Sequence, residues 1–237
     1  MLRIRSGFIL IVILIAAIVL TGCGGSHLRA IAPPEETVPV VQTAVNAYRH
    51  YNHQLPVKQR RDEALGYERY PVDFRELIHA RQLVQVPSNA YEQGGSFYYV
   101  LVPSGEDWLV RLIEMNLWQE VTDIQVKADA YRNRTGRLPA EEPVQEGIYR
   151  LDGEVLGLKS NQVPSVYSPQ TLPLIITEEG RVYVDYAPEI MVHIQALGDA
   201  FEPVLDLREV LIQQSYVLPV YSLPYVWQDE QPVISLP

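Results

Sequence analysis

Two segments of the chain carry the same helical pattern of apolar residues, and the offset from Tyr48 to Tyr131 is 83 residues. Each tyrosine lies in an Ala-Tyr-Arg triplet, and a Leu-Pro pair follows both triplets at the same distance. Apolar residues spaced by three and four form one face of an amphipathic helix. The positions are Val38, Val41, Val45 and Tyr48 in the first segment, and Leu117, Val121, Ile124, Ala128 and Tyr131 in the second. The chain is therefore predicted to contain an internal repeat.

The rest of the pattern supports a repeated unit. A third helical pattern comprises Ile190, Ile194, Leu197 and Phe201. Pairs of runs rich in β-branched and aromatic residues, separated by turn residues, indicate hairpins. These runs are 97–102 with 108–112, 172–177 with 181–184, and 225–227 with 233–234.

We therefore predict an α+β fold of tandem small repeats, each a helix followed by a short turn-helix and an antiparallel hairpin. Repeat 1 is expected over residues 37–107, repeat 2 over 108–186 and a partial third repeat over 187–237.

The amino terminus has the features of an export signal. Arg3 and Arg5 precede the apolar run Phe8–Leu20, and small residues follow. This order is typical of a signal peptide, here residues 1–22. The alternative is an uncleaved transmembrane anchor, although the run is shorter than the ~20 residues that span a bilayer.

The four residues Leu20-Thr21-Gly22-Cys23 resemble the lipobox of bacterial lipoproteins. The resemblance implies that Leu20, Thr21 and Gly22 are recognised by the signal peptidase. It also implies that Cys23 receives diacylglycerol, with fatty acids such as palmitate, and becomes the first mature residue. Residues 23–36 would then be a lipidated, solvated tether. The expected location is the extracytoplasmic face of the cell membrane, with lipid as the anchor.

Two further resemblances come from the repeats and from the whole chain. The helix ending in Ala-Tyr, the Leu-Pro turn and the two-stranded run are similar to the soluble domains of type IV pilins and pseudopilins. The lipobox, the acidic chain and the closing Tyr-Pro-rich segments resemble the YphF-like uncharacterised lipoproteins of Firmicutes. The second resemblance implies no enzymatic residue.

Charge and cysteine content narrow the classes of function. The net charge of −10 disfavours a nucleic-acid partner, which requires a basic surface. Cys23 is the sole cysteine, so the chain has no intrachain disulfide, and lipidation would remove its thiol from catalysis. The nucleophile motif G-x-S-x-G is absent from the sequence.

Other polar residues each allow a functional and a structural interpretation. His50 and His53 are spaced so that they could share a metal with Asp62 or Glu63, but helix-end histidines are commonly solvated. The carboxylate pairs Glu141-Glu142 and Glu178-Glu179 could serve a hydrolase, but neighbouring acids in turns are more simply solvated. We expect no metal, no cofactor and no catalytic residue.

Tyrosine is the most informative remaining residue type, with 15 in the chain. Tyr98, Tyr99, Tyr183 and Tyr186 lie on strand-like runs and are a possible interaction surface; the alternative is packing within the sheet. We therefore predict a non-catalytic lipoprotein that presents a surface to an envelope protein or to cell-wall material. The alternatives are a solute-binding lipoprotein of an ABC transporter and a cell-envelope hydrolase.

Overall fold

The computed structural model describes residues 31–58 and 66–236. The predicted signal peptide and the lipobox residues Leu20, Thr21, Gly22 and Cys23 lie outside the described residues. Within them, the α-helices are α1 (Pro34–Asn52), α2 (Phe74–His79), α3 (Met115–Thr135), α4 (Ala187–Leu197) and α5 (Arg208–Gln214). None of these helices combines the length and hydropathy that a membrane span requires.

The strands form three antiparallel groups. They are β1 (Phe97–Ser104), β2 (Asp107–Glu114), β3 (Ala140–Gln145), β4 (Ile148–Leu151), β5 (Gln162–Pro164), β6 (Thr171–Thr177), β7 (Val182–Val184), β8 (Tyr225–Gln228) and β9 (Gln231–Ile234). β1–β2 and β8–β9 are hairpins, and β6 is the centre of a five-stranded sheet in which it pairs with β4, β5 and β7. The α+β class and the three predicted hairpins are confirmed.

The two long helices follow the predicted apolar faces and end in the same way. Each terminates at a residue with positive φ, His53 at 55° and Gly136 at 69°. The amide of that residue donates to the carbonyl of Arg49 in α1 or Arg132 in α3, at 2.9 and 2.8 Å. This left-handed cap satisfies carbonyls that the helix itself leaves unpaired.

The tether prediction needs a correction at its end, because α1 begins at Pro34 and includes Glu35 and Glu36. Proline is favoured in the first helical turn, where its missing amide is not needed. Acidic residues in that turn complement the positive end of the helix dipole. Just before the helix, the amide of Ala32 donates to Ser88 Oγ at 3.0 Å.

The β1–β2 hairpin lies between two hydrophobic cores. Tyr99 and Leu101 face a core formed with α1 and α2, whereas Val100 belongs to a second core around α3 and the five-stranded sheet. Successive strand residues point to opposite faces, which is why adjacent residues of one strand serve different cores.

A segment after α5 connects the hairpin to the five-stranded sheet; we call residues Tyr216–Ser222 the linking segment. Its Tyr216 carbonyl accepts from the Leu112 amide of β2, and its Leu218 amide donates to the Leu112 carbonyl, both at 2.8 Å. Three residues later, the Tyr221 carbonyl accepts from the Val184 amide of β7 at 2.8 Å. The linking segment thus occupies one edge of β2 and one edge of β7.

Glutamines on α1 and α3 hold the same two strand edges by equivalent hydrogen bonds. Gln42 accepts from the Val110 amide at 2.7 Å and donates to the Trp108 carbonyl at 2.8 Å. Gln125 lies 83 positions later in the chain. It accepts from the Val182 amide at 2.8 Å and donates to the Gly180 carbonyl at 2.9 Å. We call each of these pairs of hydrogen bonds a glutamine clamp.

The middle of the chain differs from the predicted unit. The β1–β2 hairpin crosses the predicted boundary between residues 107 and 108, because β2 continues to Glu114. Residues 153–157 form turns without a short helix, and strands β3 and β4, which the sequence pattern does not predict, precede them. Gly153 and Gly157 lie in this stretch, and glycine disfavours helix.

Candidate functional site

A groove of about 450 Å³ lies where α3, β7 and the linking segment meet; we call it the aromatic groove. α3 and β7 come from the second predicted repeat, whereas the linking segment and α5 come from the third. The lining residues are Tyr67, Trp118, Thr122, Gln125, Arg181, Val182, Tyr183, Arg208, Pro219, Val220, Tyr221 and Ser222.

One wall of the aromatic groove is a stripe on α3. Trp118, Thr122 and Gln125 are spaced by four and three residues, so they lie on one helical face beside the buried apolar stripe. The Trp118 ring lies 6.2 Å from the Tyr221 ring, centroid to centroid. The Thr122 hydroxyl donates to the Trp118 carbonyl at 2.8 Å. Because that uses the only proton of this hydroxyl, Tyr221 Oη is the donor in the 2.7 Å contact with Thr122 Oγ1.

The strand side of the groove presents Arg181 and Tyr183. Arg181 and Tyr183 flank Val182 of β7. Because alternate residues of an extended chain point to the same side, these two side chains lie on the same face. Arg181 is exposed, and its guanidinium has no carboxylate oxygen within 4 Å among the described residues. Tyr183 is half-buried. Arg181 is therefore a cation available to a ligand.

The second guanidinium of the groove, that of Arg208, is already paired. Its Nη2 lies 2.6 Å from Asp206 Oδ2, and its Nη1 donates to the Ser222 carbonyl at 3.2 Å. Burial raises the pKa of the Asp206 carboxyl, but the hydrogen bonds from Arg208 outweigh burial and lower that pKa below its ordinary value. Arg208 thus carries a compensated charge and fixes the linking segment.

Tyr67 closes the groove from the short helix Gly66–Arg69. Burial raises the pKa of its hydroxyl, and the nearby Arg208 guanidinium opposes that rise. The neutral phenol therefore persists throughout the physiological pH range and adds apolar surface with one hydroxyl.

The four tyrosines predicted as an interaction surface have different environments. Tyr183 lines the aromatic groove, and Tyr98 is half-buried with Lys58 Nζ 4.9 Å from its ring centre. The prediction is wrong for Tyr99 and Tyr186, because both side chains are buried and cannot reach a partner. The Tyr99 hydroxyl lies 2.8 Å from both Thr37 Oγ1 and Asn89 Oδ1. The Tyr186 hydroxyl donates to the Val220 carbonyl at 3.0 Å.

The described residues considered for metal binding or hydrolysis do not form one site. His50 packs edge-on against Tyr51, and His53 is the cap of α1. Asp62 and Glu63 lie outside the described residues, and the described ones contain no group of three or more His, Cys, Asp or Glu able to hold a metal. The acidic pair Glu141–Glu142 lies on strand β3 and not in a loop. In the other acidic pair, Glu178 accepts a hydrogen bond from the Tyr149 hydroxyl at 3.3 Å.

A buried carboxylate, Glu189, lies in the first turn of α4. Its Oε1 accepts from the Ser168 hydroxyl at 2.6 Å. Burial raises the pKa of the Glu189 carboxyl, but the nearby Ser165 and Ser168 hydroxyls outweigh burial and lower that pKa. The carboxylate therefore anchors the loop before β6 to α4, which is a structural role.

The sequence patterns do not predict a role for Arg181 or a contact between Trp118 and Tyr221. The signal that was available is the 4, 3 spacing of Trp118, Thr122 and Gln125 along the helix. The other side of the groove comes from segments far away in sequence, which only the folded chain brings together.

Comparison with known families matches residues 34–114 to the YphF family N-terminal domain. These limits coincide with the first residue of α1 and the last residue of β2, which supports the resemblance to the YphF-like family over that unit. Of the residues that line the aromatic groove, Tyr67 alone lies within the match. The comparisons with curated proteins and with solved structures each gave no match.

Proposed function

We propose that this chain is a non-catalytic recognition protein of the cell envelope, with the aromatic groove as its binding surface. The observation that carries the proposal is the composition of that groove, in which four aromatic residues and a guanidinium without a carboxylate partner among the described residues surround about 450 Å³. Aromatic and arginine side chains dominate the binding energy of protein interfaces, because they combine apolar area with directional hydrogen bonds.

The proposed location rests on the sequence before the described residues. Leu20-Thr21-Gly22-Cys23 resembles a lipobox, so Cys23 would carry diacylglycerol and hold the chain to the extracytoplasmic face of the membrane. Residues 24–33 would then separate the lipid from α1, which begins at Pro34. The membrane is one partner in this proposal, and an envelope protein is the other.

We also propose that α1–β2 and α3–β7 are two copies of one unit. The support is the pair of glutamine clamps and the pair of left-handed caps, each separated by 83 positions. The positions 83 residues before Trp118 and Thr122 hold Glu35 and Pro39. Trp118 and Thr122 are thus particular to α3, as expected if one copy acquired a binding role.

In-cell photo-crosslinking tests the binding role. A benzophenone amino acid replaces Tyr183 in the groove or, as the matched control, Tyr51, which is 71% exposed and does not line the groove. We expect one discrete adduct from the Tyr183 position, lost when Trp118→Ala is added, and no such adduct from the Tyr51 position. Identical adducts from both positions, or none from Tyr183, would contradict the proposal; adducts with transporter subunits only would favour a solute-binding lipoprotein.

The anchor has its own test. Mass spectrometry of the mature amino terminus should find Cys23 carrying a diacylglycerol, and Cys23→Ser should accumulate the full-length precursor. Normal maturation of Cys23→Ser would overturn the lipid anchor and would leave the groove proposal standing.

A further inference from the structure

We propose that the aromatic groove recognises an acidic peptide segment, in which a carboxylate lies beside an aromatic or branched apolar side chain. This inference rests on the proposed function and adds the chemical class of the ligand. Three features of the groove support it: its charge, the donors and acceptors that remain free, and the position of the apolar wall.

The charge of the groove is opposite to that of the chain. The whole sequence has 29 acidic and 19 basic residues, yet the described residues of the lining include two arginines and no aspartate or glutamate. Asp206 compensates Arg208, so Arg181 provides the uncompensated charge. A guanidinium binds a carboxylate through two parallel N–H···O bonds, which gives this anion an advantage in geometry as well as charge.

Three other polar side chains of the lining are committed to hydrogen bonds within the protein. Gln125 is used by its clamp, the Thr122 hydroxyl donates to the Trp118 carbonyl, and the Ser222 hydroxyl donates to the Leu223 carbonyl at 2.9 Å. Sugar hydroxyls require side-chain acceptors as well as donors. Among the described lining residues, the other polar side chains are the Arg181 guanidinium and the hydroxyls of Tyr67 and Tyr183, and this set favours an anionic acceptor such as a carboxylate.

Arg181 immediately precedes β7, and Tyr183 lies within this strand. Arg181 and Tyr183 are separated by about 6.6 Å along the backbone, two residues of an extended chain. A peptide carboxylate held by Arg181 therefore leaves its neighbouring side chain near the aromatic wall of Trp118 and Tyr221. Apolar contact with that wall would exclude water from the ion pair and strengthen it.

Selection from a displayed library of random seven-residue peptides on the purified full chain tests this inference. We expect enriched peptides to carry Asp or Glu next to an aromatic or branched residue. A fluorescein-labelled synthetic copy of an enriched peptide is then titrated by anisotropy. Arg181→Gln should weaken its binding about tenfold, the loss of one charge-assisted interaction. Arg137→Gln, an exposed arginine outside the groove, should leave it unchanged.

Two controls separate the ways in which the inference can fail. Tyr183→Phe removes a donor without removing the ring, and it should weaken binding several-fold without changing the unfolding midpoint. Enriched peptides that lack acidic residues, or that bind Arg181→Gln as tightly, would overturn the ligand class while leaving the groove as a binding surface. If chitohexaose binds and Arg181→Gln does not affect its binding, the ligand is instead a glycan. If no ligand binding depends on Trp118, both proposals are overturned.

Discussion

At the residue scale, burial distinguishes side chains that look alike in sequence. Tyr98 and Tyr99 are adjacent on β1, but one is half-buried and the other is fully enclosed. The Tyr99 hydroxyl joins Thr37 and Asn89 in a buried polar triad in which Asn89 Nδ2 also donates to Thr37 Oγ1 at 2.9 Å. The alternation of a strand predicts that one of the two tyrosines is buried, but the triad depends on distant residues.

Replacing Tyr99 by Phe should lower the free energy of unfolding by about 1–3 kcal/mol, because Asn89 and Thr37 lose a buried partner. Tyr98→Phe is the matched control on the neighbouring residue and should change the stability by less than about 0.5 kcal/mol. Urea denaturation followed by circular dichroism measures both. Equal effects of the two variants would show that the triad does not contribute as described.

Gly95 provides a second test at this scale. A Cβ atom at this position would lie 2.1 Å from the Asn89 carbonyl oxygen, which accepts the Phe97 amide at the start of β1. Gly95→Ala should therefore destabilise the fold by about 2–4 kcal/mol, since the backbone has to move. Gly94 has a φ of 82° and open space around it, so Gly94→Asn, which tolerates that conformation, should have a much smaller effect. Similar unfolding midpoints for both variants would contradict this account.

At the scale of elements, local periodicity is sufficient for the long helices and three of the hairpins, and insufficient for the β3–β4 hairpin and the connections. The apolar stripes predict α1 and α3, and the β-rich runs predict β1–β2, β6–β7 and β8–β9. The linking segment could not be predicted, because its backbone pairs with β2 and β7, which are remote in sequence. The same long-range pairing assembles the groove, so the sequence analysis identified Tyr183 and not the surface around it.

The glutamine clamps give a prediction for single elements. Gln125→Met keeps the length of the side chain but removes both hydrogen bonds to the edge of β7, so the Val182 amide should exchange with solvent at least tenfold faster. Gln42→Met should do the same to the Val110 amide of β2. Gln119→Met, whose side chain bonds only the exposed Asp123, is the control on α3. Hydrogen exchange followed by NMR measures each amide, and unchanged protection in the clamp variants would contradict the clamp.

At the scale of the whole molecule, two cores share one hairpin and one linking segment. Val217 of the linking segment belongs to the core around α1, and Leu218 belongs to the core around α3. The ion pair of Asp206 and Arg208 fixes this segment through the Ser222 carbonyl. The aromatic groove is therefore held by the same contacts that hold the molecule together.

The stability should depend on pH through the half-buried Asp206 carboxylate and the buried Glu189 carboxylate. Burial raises the pKa of Asp206 and of Glu189, but their hydrogen bonds outweigh it, so both fall below the ordinary values of 3.8 and 4.5. A lowered carboxyl pKa stabilises the fold above the ordinary value, and this contribution is lost as pH falls through the lower folded value. Urea denaturation should thus give a stability that decreases from about pH 5 downward.

The matched variants separate this effect from general acid unfolding. Asp206→Asn should be less stable at pH 7 and should show a shallower loss of stability on acidification. The exposed Asp199→Asn should follow the wild-type curve. A pH dependence of Asp206→Asn parallel to that of the wild type would contradict the assignment.

The central claim is that the aromatic groove is occupied by a partner at the membrane, and oxidative footprinting tests it most directly. Hydroxyl radicals are applied to the full chain in intact cells and to the purified protein, and mass spectrometry measures oxidation at each residue. The account predicts that Trp118 and Tyr183 are oxidised several-fold more slowly in cells, whereas the exposed Tyr51 and Tyr91 are oxidised equally in both states. Equal oxidation of Trp118 and Tyr183 in cells and in the purified protein would contradict it.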